Sequence, residues 1–94
     1  MFKDLDPILH SQLRLSIVSL LVGLDEAEFV YLREKTNASA GNLSLQLDKL
    51  QKAGYVSIKK GFKGKYPVTT CKLTSKGLKA FERYVNTIKS YIHL

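Results

Sequence analysis

A mainly α-helical fold of the α+β class, with helices enclosing one small β-hairpin, is what this 94-residue sequence predicts. Three observations predict it. Apolar residues recur at helical spacing on both sides of a central stretch. That stretch, from Tyr55 to Leu73, alternates as strands do and is interrupted by a loop rich in Gly and Lys. Residues suited to starting helices (Asp6-Pro7, Ser39 and Thr74) stand where the periodic segments begin.

Asp6-Pro7 is expected to start a first helix, since Asp caps and Pro fits the first helical position. Ile8, Leu9, Leu13, Ile17, Leu20, Leu21 and Leu24 give it a broad apolar stripe, and Gly23 marks its end. Asp25-Glu26 then caps a short second helix with Phe29, Val30 and Leu32 on its apolar side, fading near Thr36-Asn37. Ser39 caps the third helix, whose inward face is Leu43, Leu47 and Leu50 and whose stop is Gly54. Gly41, Leu45, Asp48 and Lys49 point the other way, with Asn42 beside them.

Two strands follow. Val56 and Ile58 share one face of the first; Thr69, Cys71 and Leu73 share one face of the second. The segment Gly61-Phe-Lys-Gly-Lys-Tyr-Pro67 reads as a long, charged, seven-residue connection, of the kind that often carries function. Thr74 caps the last helix, about 75–92, with Leu78, Phe81, Val85, Ile88 and Ile92 in one stripe flanked by Tyr84 and Tyr91. The whole is expected to be a single domain, 1–94, with a helix pair at about 27–53, the hairpin at about 55–73 and the last helix after it.

Charge is polarised along the chain. Residues 1–48 hold four basic and seven acidic side chains, a net of −3, whereas residues 49–94 hold eleven basic and one acidic, a net of +10. A basic half suggests a polyanionic partner, and a Lys-rich solvated surface is the plainer alternative. One cysteine allows no disulfide within the chain and fits a reducing compartment. The longest apolar run, Ile17 to Leu24, is too short to span a membrane, and the acid-bearing N-terminus lacks a signal-type core. A cytoplasmic protein with no membrane partner is the expectation.

No enzyme is expected. His10 and His93 are the only histidines, near opposite ends, and each reads as an ordinary surface or interface residue. With one Cys and two His there is no metal site, and no cofactor is expected. The Gly61–Lys65 loop lacks phosphate-loop spacing and precedes a strand rather than a helix. Cys71, on the inward strand face, reads as a small buried hydrophobe.

The order helix, helix, basic hairpin, helix resembles the winged-helix DNA-binding domain of MarR/ArsR-type bacterial and archaeal regulators, particularly their small single-domain members. The likeness is carried by Phe29-xx-Leu32, by Ser39-x-Gly41-Asn42-Leu43-xxx-Leu47-xx-Leu50-xxx-Gly54-Tyr55-Val56, by Gly64-Lys65 and by Leu73-Thr74-xx-Gly77. It implies a winged helix-turn-helix with N- and C-terminal dimerisation helices. It also implies a homodimer that binds a near-palindromic operator in double-stranded DNA as a transcriptional regulator, a repressor that occludes a promoter. The third helix would enter the major groove and the hairpin, as a wing, would follow the backbone or the adjacent minor groove. The implied dimer interface is Ile8, Phe81, Tyr84, Val85, Ile88, Tyr91 and Ile92.

The DNA-binding set then comprises Ser39, Ala40, Gly41, Asn42, Ser44, Leu45, Gln46, Lys49, Lys63, Lys65 and Tyr66. Ser39, Ala40 and Gly41 form a helix N-terminus that favours a phosphate, although Ser39 serves equally as a plain cap. Asn42, Ser44 and Gln46 can bond base edges or phosphates, and Leu45 can touch thymine methyls or pack elsewhere. Gln46 has the alternative of lying at the helix flank against other protein. Lys49, Lys63 and Lys65 are assigned to phosphates, and Tyr66 either stacks on the backbone or packs over the wing. Two other functions stay open: a winged-helix module that docks proteins through Leu45 and the last helix, and a non-specific nucleic-acid-binding protein. There is no room for a separate ligand domain, so an unidentified small-molecule inducer would have to sit at the dimer interface.

Overall fold

The computed structural model describes residues 2–92; His93 lies outside the described residues. Four helices and a three-stranded antiparallel sheet follow in the order α1 (Gln12–Val22), β1 (Ala27–Glu28), α2 (Phe29–Thr36), α3 (Ala40–Lys52), β2 (Val56–Lys63), β3 (Tyr66–Leu73) and α4 (Ser75–Ile92). The sheet order is β1-β3-β2. One cluster of buried side chains joins the elements. Leu9, Ile17 and Leu21 from the N-terminal region meet Leu32 of α2, Leu43 and Leu50 of α3, and Cys71 of β3. Each such aliphatic side chain contributes about 1.5–3 kcal/mol by leaving water.

The first helix starts later than expected. Asp6 does cap, but it caps a single turn: its Oδ1 accepts from the N–H groups of Ile8 at 2.8 Å and Leu9 at 3.4 Å. The chain then extends at Ser11 (φ −151°, ψ 130°) before α1 begins. Arg14 explains the break. Its Nε donates to the Ile8 carbonyl at 2.6 Å and its Nη2 to the Pro7 carbonyl at 3.4 Å. A continuous helix would have spent those carbonyls on backbone N–H groups.

The expected cap at Asp25-Glu26 is also replaced. Ala27 and Glu28 form β1, pairing with Cys71 and Thr70, and α2 follows at once. Val30, expected on the inner side, is 64% exposed, while Leu32 is fully buried. Leu32 stands three residues after the partly buried Phe29, whereas Val30 is turned 100° away. Asn37 ends α2 at φ +57°, a left-handed conformation that Asn tolerates better than most residues.

The hairpin is tighter than expected. Its strands continue to Lys63 and Tyr66, which pair directly, leaving a two-residue turn of Gly64 and Lys65 in place of a seven-residue loop. Gly64 has φ +64° and Lys65 a negative φ, as in a type II′ turn, which takes Gly first. Pro67 faces Phe62, one position past the hydrogen-bonded closing pair, so its missing N–H would have pointed away from β2. The expected facing holds: Val56 pairs with Leu73 and Ile58 with Cys71, on one face.

Two junctions fix α3 and α4 to the hairpin. After α3, the Gly54 N–H bonds the Gln51 carbonyl and the Tyr55 N–H bonds the Leu50 carbonyl, both at 2.9 Å, with Gly54 at φ +82°. This is a Schellman stop. Thr74 Oγ1 accepts from the Gly77 N–H at 3.0 Å and donates to the Gly54 carbonyl at 2.6 Å. One hydroxyl therefore caps α4 and ties it to the end of α3.

Candidate nucleic-acid interface

The first turn of α3 is capped by Ser39. Ser39 Oγ accepts from the Asn42 N–H at 3.1 Å, and the Ser39 carbonyl takes the Leu43 N–H. The hydroxyl proton of Ser39 is left to donate outward, so capping and phosphate binding are compatible. The first turn carries no acidic side chain, and its early N–H groups point out of the helix end.

Along the exposed face of α3 lie Gly41, Asn42, Ser44, Leu45 and Lys49. Leu45 is 52% exposed and packs on nothing in the core. Asp48, the one acid of this helix, is paired with Lys52 at 2.9 Å. It borders a cleft of about 460 Å³ that separates α3 from the wing. Ala40 and Ser44 line that cleft on the α3 side, and Ile58, Lys60 and Thr69 line it on the sheet side.

Lys63, Lys65 and Tyr66 sit at the wing tip, all exposed, with Tyr66 at 77%. Tyr66 does not pack over the wing. Phe62, also 77% exposed, pairs with Pro67 one position from the tip and borders a cleft lined by Tyr31, Lys59, Lys63 and Val68. Phe62 escapes a sequence reading that ends the strand at Lys60; the alternation of Val56, Ile58 and Lys60, carried two residues further, finds it.

The structure thus brings Ser39, Ala40, Gly41, Asn42, Ser44 and Leu45 together on α3 and sets Lys63, Lys65 and Tyr66 apart on the wing. Gln46 occupies a different position. Its Oε1 accepts from Arg14 Nη1 at 2.6 Å, and its Nε2 donates to Asn42 Oδ1 at 3.0 Å. It lies at the helix flank against α1. No sequence signal links Arg14 to α3, because the pair is 32 residues apart.

The residues assigned to a dimer interface divide. Tyr84 is turned into the protein's own core, 7% exposed, with its hydroxyl 3.0 Å from His10 Nδ1. Tyr91 stacks on Phe2 and donates to the Lys3 carbonyl. Ile8, Phe81, Val85 and Ile88 are half-buried, whereas Leu78 and Ile92 are exposed. Gly77, Ala80 and Tyr84 form the buried edge of α4. The apolar stripe therefore exceeds what the core covers.

No group of His, Cys, Asp or Glu suited to a metal occurs among the described residues, and none of their helices is long and apolar enough to cross a membrane. Cys71 is fully buried, and that burial pushes its thiol up to about 11. An exposed low-pKa thiol is what redox sensing requires.

Helix, turn, capped helix and lysine-tipped hairpin define a winged helix-turn-helix. The winged helix DNA-binding domain family matches residues 13–92, and the chain belongs to it. It is 44% identical over 82 residues to the uncharacterized protein MJ0432 of Methanocaldococcus jannaschii, spanning 86% of this chain and 88% of that one. Its fold is similar to that of a transcriptional regulator homologue from Pyrococcus horikoshii, with a TM-score of 0.86 and 26% identity over 92% of this chain and 85% of the other. It is similar as well to a point mutant of MarR from E. coli, solved with operator DNA, with a TM-score of 0.75 and 19% identity over 93% and 61% of the two chains. The structural neighbours include a MarR-family transcriptional regulator from Silicibacter pomeroyi, with a TM-score of 0.69 and 19% identity over 88% of this chain and 55% of the other.

Proposed function

We propose that this protein is a sequence-specific transcriptional repressor that binds a near-palindromic operator as a homodimer. The observation that carries the reading is the pairing of an acid-free, Ser39-capped helix N-terminus with a tight hairpin bearing Lys63 and Lys65 at its tip. The first suits the major groove and a phosphate; the second suits the flanking backbone. Asn42, Ser44 and Leu45 read bases, while Lys49, Lys63 and Lys65 hold phosphates. The dimer is supported by the uncovered part of the α4 stripe. It would set two α3 helices about one DNA turn apart, roughly 34 Å. An inducer would act by changing that spacing.

The test is binding to genomic fragments, beginning with the gene's own upstream region, in the presence of excess random DNA. Specific retention supports the reading. Lys63→Ala with Lys65→Ala should weaken binding to every sequence and flatten the salt dependence by up to about two units of slope. An unchanged slope would remove the wing. The exposed Leu45 favours a second reading, a protein-docking winged helix, which forecasts a folded protein with poor DNA binding at physiological salt.

A further inference from the structure

Arg14, Gln46 and Asn42 form a chain of hydrogen bonds whose polarity runs one way. A guanidinium only donates. Arg14 Nη1 meets Gln46 at 2.6 Å, so the Gln46 atom facing it must be the carbonyl oxygen. The NH2 of Gln46 is then directed to the other side, where it donates to Asn42 Oδ1 at 3.0 Å, one helical turn earlier. The Asn42 carbonyl is thereby occupied along the helix, and its NH2 is left facing outward from the exposed surface of α3. The arginine at the head of the chain is itself held in place, because its other nitrogens bond the Ile8 and Pro7 carbonyls.

We infer that Asn42 enters the groove as a hydrogen-bond donor, with its orientation set by Gln46 and anchored by Arg14. This rests on the DNA-reading role of α3 proposed above and specifies its chemistry. The contacted base presents an acceptor in the major groove: guanine O6 or N7, thymine O4 or adenine N7. Cytosine, whose major-groove edge offers only the N4 donor, is disfavoured at that position. Gln46 is a positioning residue, and Arg14 positions it in turn.

Gln46→Glu tests the inference because it keeps the arginine contact and reverses the polarity. One carboxylate oxygen still accepts from Arg14. The other can only accept, so Asn42 must turn its NH2 toward it and present Oδ1 to the DNA. Preferred sequences are selected from a randomised duplex library by the wild type, Gln46→Glu and Asn42→Ala. The added negative charge weakens all sequences alike, so the readout is the base ratio at each position. The wild type should disfavour C at one position of the half-site by about tenfold. Asn42→Ala should flatten that position, and Gln46→Glu should reverse it, favouring C or A, whose exocyclic amines donate, over G and T.

An unshifted preference in Gln46→Glu, or an unchanged profile in Asn42→Ala, overturns the inference while leaving DNA reading intact. A wild type that enriches no motif overturns the DNA-reading proposal instead. The chain of bonds is then read in the free proteins by NMR of the side-chain amides. The Gln46 NH2 should be protected from exchange and that of Asn42 unprotected in the wild type, with Asn42 becoming protected in Gln46→Glu. Identical Asn42 amide behaviour in the two proteins overturns it.

Discussion

Gly77, in the first turn of α4, lies directly against the Tyr55 carbonyl: a Cβ at that position would fall well inside van der Waals contact of the oxygen and 2.7 Å from Leu73 Cδ1. The carbonyl cannot give way freely. The Tyr55 carbonyl accepts from the Thr74 N–H at 3.0 Å, and Thr74 is tied to Gly54. Gly77→Ala should therefore destabilise the protein by about 3 kcal/mol, as overpacking of a rigid site does. Urea unfolding measures it. A loss under about 0.5 kcal/mol would mean that α4 slides on the hairpin.

Gly41 forecasts the opposite sign. It lies in the first turn of α3 with open space where a Cβ would stand, so Gly41→Ala should raise stability by up to about 1 kcal/mol. The added methyl group stands where the backbone would approach a phosphate, and operator affinity should fall several-fold. Stability and binding thus move apart. Full affinity in the stabilised variant would take Gly41 out of the contact surface.

These two glycines show what the sequence carries. Leu73-Thr74-xx-Gly77 and Gly54-Tyr55-Val56 are legible as motifs because caps and stops depend on residues a few positions apart. The two-residue β1 was not legible, since Ala27 and Glu28 become a strand only when β3 stands beside them. Arg14 was invisible for the same reason: its partners are a turn outside the helix and a side chain on α3. Residues 61–67 read as a loop because Gly and Lys stand out in them, although the alternation runs on through Phe62. Local chemistry was therefore readable, and long-range pairing was not.

The Tyr55 hydroxyl donates to the Asp6 carboxylate, pinning the N-terminal turn to the junction of α3 and β2. Burial first, then the bond to Asp6 and the charge of that carboxylate, push the Tyr55 hydroxyl from its ordinary 10 up to about 12, with Arg83 pulling the other way. The neutral phenol is thus favoured by folding. Its contribution is complete below pH 10 and is lost as pH rises from 10 to about 12. Tyr55→Phe should be less stable than the wild type at pH 8, and the gap should close across that window. A gap that persists above pH 12 would show that ionisation of Tyr55 is not linked to folding.

Cys71 gives a chemical check on the core. Its thiol is fully buried and held up at about 11, so at pH 8 thiolate-directed reagents should label it only when the protein opens. Labelling should be slow in buffer and immediate in 6 M guanidinium. Oxidation with hydrogen peroxide should leave operator affinity unchanged. Rapid labelling of the folded protein, or release from DNA by peroxide, would make Cys71 a sensor.

The α4 stripe supplies the test of assembly. Leu78 is 39% and Ile92 54% exposed, outside the buried edge of α4 that Gly77, Ala80 and Tyr84 form. A dimer that covers them should be lost in Leu78→Lys with Ile92→Lys. Because both residues are exposed in the single chain, helical content should survive. Sedimentation should show the wild type as a dimer at micromolar concentration and the variant as a monomer. The melting temperature of the wild type should rise with concentration, as mass action requires, and that of the variant should not. Affinity for a full palindrome should drop in the variant to that for a half-site. A wild type that sediments as a monomer throughout would remove the dimer, and the palindromic operator with it.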